Sequence, residues 1–256
     1  MPASINPANV SVILCRPRYP ENIGAAARAM CNMGFDRLLV VDPQNCDLTR
    51  ILKMATHAAS EVVEQMQVYQ NLQAALEPLN YVVGTTARLG GQRQSVISAD
   101  RLTPELAPIT ENNRVGLVFG PEDRGLTNED LRLCHRLVTI PTAEFSSLNL
   151  AQAVMIICYE LRRDRPSESK PFVPRLANRQ ELDGMYAQLK DVLVKISYIQ
   201  PDNPDYFMNN LRQFGTRMGL RAKEVSIIRG ICRQINWYGK KCFQNGMKQR
   251  GDDPCD

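Results

Sequence analysis

The chain has 256 residues, 44% of them hydrophobic, and a formal net charge of +4. That length fits one sizeable domain with an appendage, and no window approaches the roughly 18 apolar residues of a membrane span. Eight cysteines lie scattered with no C-x-x-C pair, and His57 and His135 are the only histidines, so neither a metal centre nor histidine catalysis is expected.

Val10 to Leu14 reads as a first strand, ended by Arg16-Pro17-Arg18-Tyr19-Pro20. Glu21 to Met30, rich in alanine, begins a helix with Asn22 at its mouth. Arg28 follows less than two turns later, and its side chain leans back toward the helix start. Leu38 to Val41 is a second strand, Leu48 to Ala59 a helix, Met66 to Tyr69 a short strand and Leu72 to Leu76 a helical turn or two. Tyr81 to Gly84 is a further strand that empties into Thr85, Thr86, Ala87 and Arg88. From Leu89 to Asn113 the pattern weakens into a polar, proline-bearing stretch, read as a long loop.

Val115 to Phe119 is a short apolar run that stops at Gly120-Pro121, and the loop Glu122-Asp123-Arg124-Gly125-Leu126 follows. Thr127, with an acid three residues on, predicts a capped helix near Leu131. A strand through Val138 to Ile140 then leads by Ser146-Ser147-Leu148-Asn149 into an apolar helix over 151–161. Ser146, Ser147 and Asn149 read equally as a helix start, because hydroxyl and amide groups cap orphan N–H groups. Strands alternating with helices predict an α/β fold with a mostly parallel sheet covered on both faces, whose ligands sit at strand carboxyl ends. Fingerprints for dinucleotides, nucleoside triphosphates and the serine elbow are missing.

Residues 164–178 form a polar, proline-broken linker. Beyond it, 179–256 reads as a small all-α extension of three amphipathic helices, expected to pack on the main domain or on a second subunit. Charge divides along the same line, with 13 basic against 16 acidic residues up to Leu161 and 18 against 11 beyond. A solvated helical face accounts for that excess as well as a polyanionic partner does. The segment before Asn9 carries no basic, apolar leader pattern, so a cytoplasmic protein is expected.

Three blocks taken together resemble the SPOUT superfamily, and within it the TrmH-like RNA ribose 2'-O-methyltransferases. They are Asn22-Ile23-Gly24-Ala25-Ala26-Ala27-Arg28-Ala29-Met30, then Phe119 to Leu126, then Ile140-Pro141 with Ser146 to Ala151. The likeness covers about residues 8–163, and Leu211-Arg212 with Ile227-Ile228-Arg229-Gly230-Ile231 extends it to the TrmJ group.

The resemblance implies a homodimeric methyltransferase domain over 1–163 with a carboxyl-terminal trefoil knot. It further implies S-adenosylmethionine as methyl donor and the ribose 2'-hydroxyl of tRNA, at position 32 of the anticodon loop, as acceptor. By motif match Thr85, Thr86, Ala87, Gly120, Ile140, Ser146, Ser147 and Leu148 would bind the cofactor. Arg28, Asn22, Glu122, Ser147 and Asn149 would be catalytic, with Arg28 holding a phosphate and easing the developing oxyanion. Glu122 reads also as a brace for its turn. Neither metal nor membrane is implied. Phe145 replaces a tyrosine of some relatives, and Arg93 is the candidate for a further RNA-binding arginine. An enzyme acting on ribosomal RNA, or a knotted RNA-binding dimer without catalysis, would share the blocks; the complete polar set speaks against the inert dimer.

Overall fold

Alternate residues of β1 (Val10–Cys15) point into different apolar layers: Val10, Val12 and Leu14 into one, Ile13 and Cys15 into the other. β2 (Arg37–Val41), β4 (Tyr81–Thr85) and β6 (Val115–Phe119) alternate in the same way. Burial on both faces is why these strands read as unbroken apolar runs. The computed structural model describes residues 4–87, 96–144, 146–163, 173–200 and 202–251, with the backbone alone from 245 onward. Phe145, Arg88, Arg93 and most of the expected linker lie outside the described residues.

With β3 (Gln67–Tyr69), β5 (Val96–Ser98) and β7 (Arg136–Thr139), the strands form a seven-stranded sheet in the order β3-β2-β1-β6-β4-β7-β5. All its pairings are parallel. One layer contains α1 (Pro20–Asn32), α2 (Leu48–Ala55), α3 (Ser60–Glu64), α5 (Leu102–Thr110) and α7 (Leu150–Arg162). The other contains α4 (Leu72–Leu76) and α6 (Asn128–Arg132).

Two readings change. The single helix expected over 48–59 is broken at Thr56, whose φ is +63°, and α3 begins at Ser60. The stretch read as a long loop holds β5 and α5. Two prolines disguise α5: Pro104 sits in the first turn, where its missing N–H is no loss, and Pro108 lies inside the helix. Burial of Leu102, Leu106, Ala107 and Ile109 outweighs that local handicap.

The chain divides into two compact units, 1–179 and 180–256. The end of the expected linker is held by the first unit. Asn80 Nδ2 donates to the Leu176 carbonyl at 2.8 Å, the Leu176 N–H donates to Asn113 Oδ1 at 2.7 Å, and Ala177 is fully buried.

The second unit comprises α8 (Arg179–Lys195), α9 (Pro204–Met218) and α10 (Ala222–Gly251). The Tyr186 hydroxyl of α8 meets Gly215 of α9 so closely that an added Cβ would lie 2.0 Å from it. Arg229 of α10 donates to Gln188 of α8 at 3.2 Å. Among the described residues no helix is long and apolar enough to cross a membrane.

Candidate active site

β4, β6 and β7 end side by side, and small polar groups join their ends. Thr85 Oγ1 donates to the Val118 carbonyl at 3.1 Å, and the Thr86 N–H donates to the Val138 carbonyl at 2.9 Å. After β6 the loop 120–126 closes on itself. A Cβ on Gly120 would lie 2.3 Å from the Gly125 carbonyl carbon and the Leu126 nitrogen. Gly125 takes φ +66° and its N–H donates to the Pro121 carbonyl at 2.9 Å. Both glycines are therefore steric requirements of this loop.

The loop after β1 is tied to this one. Asp130, in a capping box with Thr127 at the start of α6, also pairs with Arg16, whose φ is +52°. Glu122 uses both oxygens: Oε2 accepts the Arg18 N–H at 3.0 Å and Oε1 accepts Asn22 Nδ2 at 2.6 Å. Arg18 Nη1 reaches Asp123 at 3.1 Å. Asn22 Oδ1 in turn accepts Asn149 Nδ2 at 3.0 Å, and Asn149 Oδ1 caps α7 through the N–H groups of Ala151 at 2.9 Å and Gln152 at 3.4 Å.

The direction of this relay is fixed at both ends. An ionised carboxylate only accepts and backbone N–H groups only donate, so both asparagine amides have one workable orientation. Glu122, Asn22 and Asn149, drawn from three separate sequence blocks, thus form one hydrogen-bonded chain. Asn149 is a helix cap and a relay member at once, and Glu122 braces two loops.

Beside the relay lies a cavity of about 270 Å³, near the lower end of the roughly 300–1,000 Å³ usual for small-molecule sites. Thr85, Thr86, Ala87, Gly120 and Glu122 line one part of it, and Ile140, Ser146, Ser147 and Leu148 another. Every residue expected to bind cofactor is therefore on its wall. Leu126, Val138 and Leu150 supply further apolar lining, while Ser146 and Ser147 are exposed with no hydrogen bond among the described residues. An apolar wall with the two exposed serine hydroxyls and loop amides suits a nucleoside-bearing ligand.

Arg28 stands apart. It does not line the cavity, it is exposed, and it makes no hydrogen bond or ion pair with the described residues. It shares a helix face with Gly24, one turn away, where an added Cβ would lie 2.1 Å from the Ile51 carbonyl of α2. That is the α2 side of α1, away from Asn22.

The ties made by Arg16, Arg18, Asp123 and Asp130 leave no local pattern in the sequence beyond the pair of arginines closing β1.

No cysteine or histidine is among the described residues that line the cavity. Burial pushes the Cys15 thiol, at the end of β1, up to about 12, so it stays protonated. Burial lowers His135 to about 4; its Nδ1 accepts the Val82 N–H at 3.1 Å and its ring stacks on Tyr81. No His, Cys, Asp and Glu group among the described residues could hold a metal ion.

A parallel sheet with a cavity at the ends of three adjacent strands, walled by the second and third blocks and braced by the first, defines a class. The chain belongs to the SpoU rRNA methylase family, which matches residues 9–159. Residues 180–248 match the carboxyl-terminal domain of the tRNA methyltransferase TrmJ. The chain is 34% identical over 258 residues to the tRNA (cytidine/uridine/adenosine-2'-O-)-methyltransferase TrmJ of Pseudomonas aeruginosa, covering 95% of this chain and 98% of that one. It is also 34% identical to the tRNA (cytidine/uridine-2'-O-)-methyltransferase TrmJ of Pectobacterium atrosepticum, covering 89% and 96%. The crystal structure of TrmJ from Z. mobilis ZM4 superposes with a TM-score of 0.75 at 32% identity, covering 88% of this chain and 98% of that one.

Proposed function

We propose that the protein transfers a methyl group from S-adenosylmethionine to the ribose 2'-hydroxyl of a tRNA, at the pyrimidine in position 32 of the anticodon loop. The observation that carries this reading is the cavity at the ends of β4, β6 and β7, walled by the matching blocks and abutting the Glu122–Asn22–Asn149 relay. The near full-length likeness to enzymes named as tRNA 2'-O-methyltransferases supports the same substrate class.

S-adenosylmethionine, when bound, supplies an electrophilic methyl group, so the protein's task is orientation and handling of the hydroxyl proton. Thr85, Thr86, Ala87, Gly120, Ile140, Ser146, Ser147 and Leu148 would hold it. Ser147 and Asn149 would set the nucleotide and the loop around it, while Asn22 and Glu122 keep that loop in register.

Arg28 would hold the adjacent phosphate and ease the developing oxyanion, with a phosphate oxygen or a transiently neutral guanidine taking the proton. Because Arg28 lies on the α2 side of its own chain, the reading assigns it to the site of a second copy in a homodimer. A trefoil knot in the carboxyl-terminal part of 1–163, a helical extension at 179–256 that adds cationic surface for RNA, and a cytoplasmic location complete it.

The test is purified full-length protein with tRNA transcripts and methyl-labelled S-adenosylmethionine. Label retained in a 2'-O-methylated pyrimidine nucleoside from position 32 supports the reading. Label in ribosomal RNA alone, or none with any RNA, contradicts it.

A further inference from the structure

We propose that Tyr19, backed by Arg18 on a loop tied to two cavity-lining acids, is a stacking platform that takes the unstacked base of the nucleotide being methylated. The inference deepens the tRNA methyltransferase reading and rests on it for the identity of the RNA. Tyr19 is 51% exposed and occupies the position before the first turn of α1. That position favours Ser, Thr, Asp or Asn, whose side chains cap the helix, and the Tyr19 side chain makes no such bond. The ring therefore serves neither the helix nor the core.

Its mounting is what separates it from an incidental surface aromatic. The Arg18 guanidinium carbon lies 5.9 Å from the Tyr19 ring centroid, within cation–π range. That same guanidinium is held by Asp123, and the Arg18 N–H is held by Glu122; both acids line the cavity. The Tyr19 carbonyl accepts the Asn22 N–H at 3.0 Å, and Asn22 is the middle member of the relay. An exposed aromatic face is thus fixed, through one guanidinium and one backbone bond, to the groups that frame the site.

The chemistry of the partner follows. Single-stranded RNA is recognised by stacking splayed bases on aromatic rings and guanidinium planes. A ribose presented to the cavity must carry its base somewhere, and a loop nucleotide has no paired neighbour to keep that base. Tyr19 offers a face, and the guanidinium behind it, itself held by Asp123, fixes the ring in place.

The experiment is a binding cycle with the full-length protein and a tRNA transcript carrying either the natural nucleotide or an abasic ribose at position 32. With wild-type protein, removing the base weakens binding by about 5- to 150-fold, the range of one lost stack. With Tyr19→Ala the natural tRNA binds as weakly as the abasic one does to wild type, and removing the base has no further effect. Tyr19→Phe restores the base dependence, since stacking needs the ring and not the hydroxyl. Affinity for S-adenosylmethionine alone reports that the altered proteins are folded.

Equal base dependence in wild type and Tyr19→Ala overturns the proposal, as does a loss traced to a changed oligomeric state. Failure of the functional reading is distinguishable: wild-type protein that transfers no methyl group to any tRNA sinks that reading, whatever the cycle gives.

Discussion

Glu122→Gln is the sharpest local perturbation of the site, because it changes charge and one donor without changing size. Glu122 now accepts two hydrogen bonds, from Asn22 Nδ2 at 2.6 Å and from the Arg18 N–H at 3.0 Å. A glutamine amide offers one oxygen and one NH2, so one of the two donors must face another donor. A hydrogen bond to a charged group contributes about 1.5–3 kcal/mol, and partial exposure reduces that here to about 1–2 kcal/mol. The melting temperature should fall by about 2–8 °C for a chain of this size. Loss of the relay frees Asn22, so methyl transfer should fall by about 10-fold or more while affinity for S-adenosylmethionine holds within about threefold. The decisive assay is the double-mutant cycle with Asn22→Ala, measured by urea unfolding. Coupling of about 1–2 kcal/mol is expected for residues sharing this bond. Stability changes that add within about 0.3 kcal/mol would refute the relay.

Gly120→Ala places a methyl group against the backbone of Gly125 and Leu126, so calorimetry should find cofactor binding lost and stability lower by about 2–3 kcal/mol. His135 has a folded pKa of about 4 against an ordinary 6.5, so its neutral form favours the folded state. That stability is complete above pH 6.5 and disappears as the pH falls toward 4, by at most about 3 kcal/mol. His135→Asn can accept the Val82 N–H without titrating, so its melting temperature should fall less than wild type's between pH 6.5 and 4.5. Arg28→Ala should retain cofactor affinity while turnover drops by about 100-fold, and mixing it with inactive Ser147→Ala protein should restore part of the activity if the two residues meet across subunits. Replacing both Lys240 and Lys241, beside exposed Trp237 on α10, with glutamate should weaken tRNA binding and lower its salt slope by about 2.

The central strands were legible because burial on both faces leaves an unbroken apolar signal, as in Val115–Phe119, whereas the three-residue, half-buried β5 fell within the stretch read as a loop. The helix cap at Thr127 was legible for the same local reason, a hydroxyl with an acid three residues on. α5 was not, since Pro104 and Pro108 erase its propensity and only tertiary burial restores it. The cavity wall followed from the resemblance, whereas the clamp between the loops after β1 and β6 did not. Its bonds join residues about a hundred positions apart, Arg18 and Asn22 to Glu122, and no local pattern encodes such a pairing. At Arg28 helix geometry pulls two ways. Side chains lean toward the helix start, but six residues also rotate the position by about 240°, which carries it from the face of Asn22 to that of Gly24.

The central claim is that the cavity at the ends of β4, β6 and β7 presents a methyl donor to one ribose oxygen of a tRNA. The most direct measurement compares methyl transfer to two otherwise identical tRNAs, one with ribose and one with 2'-deoxyribose at position 32. The account predicts transfer to the first and none to the second. Equal labelling of both, or a methyl group found on a base, would contradict it.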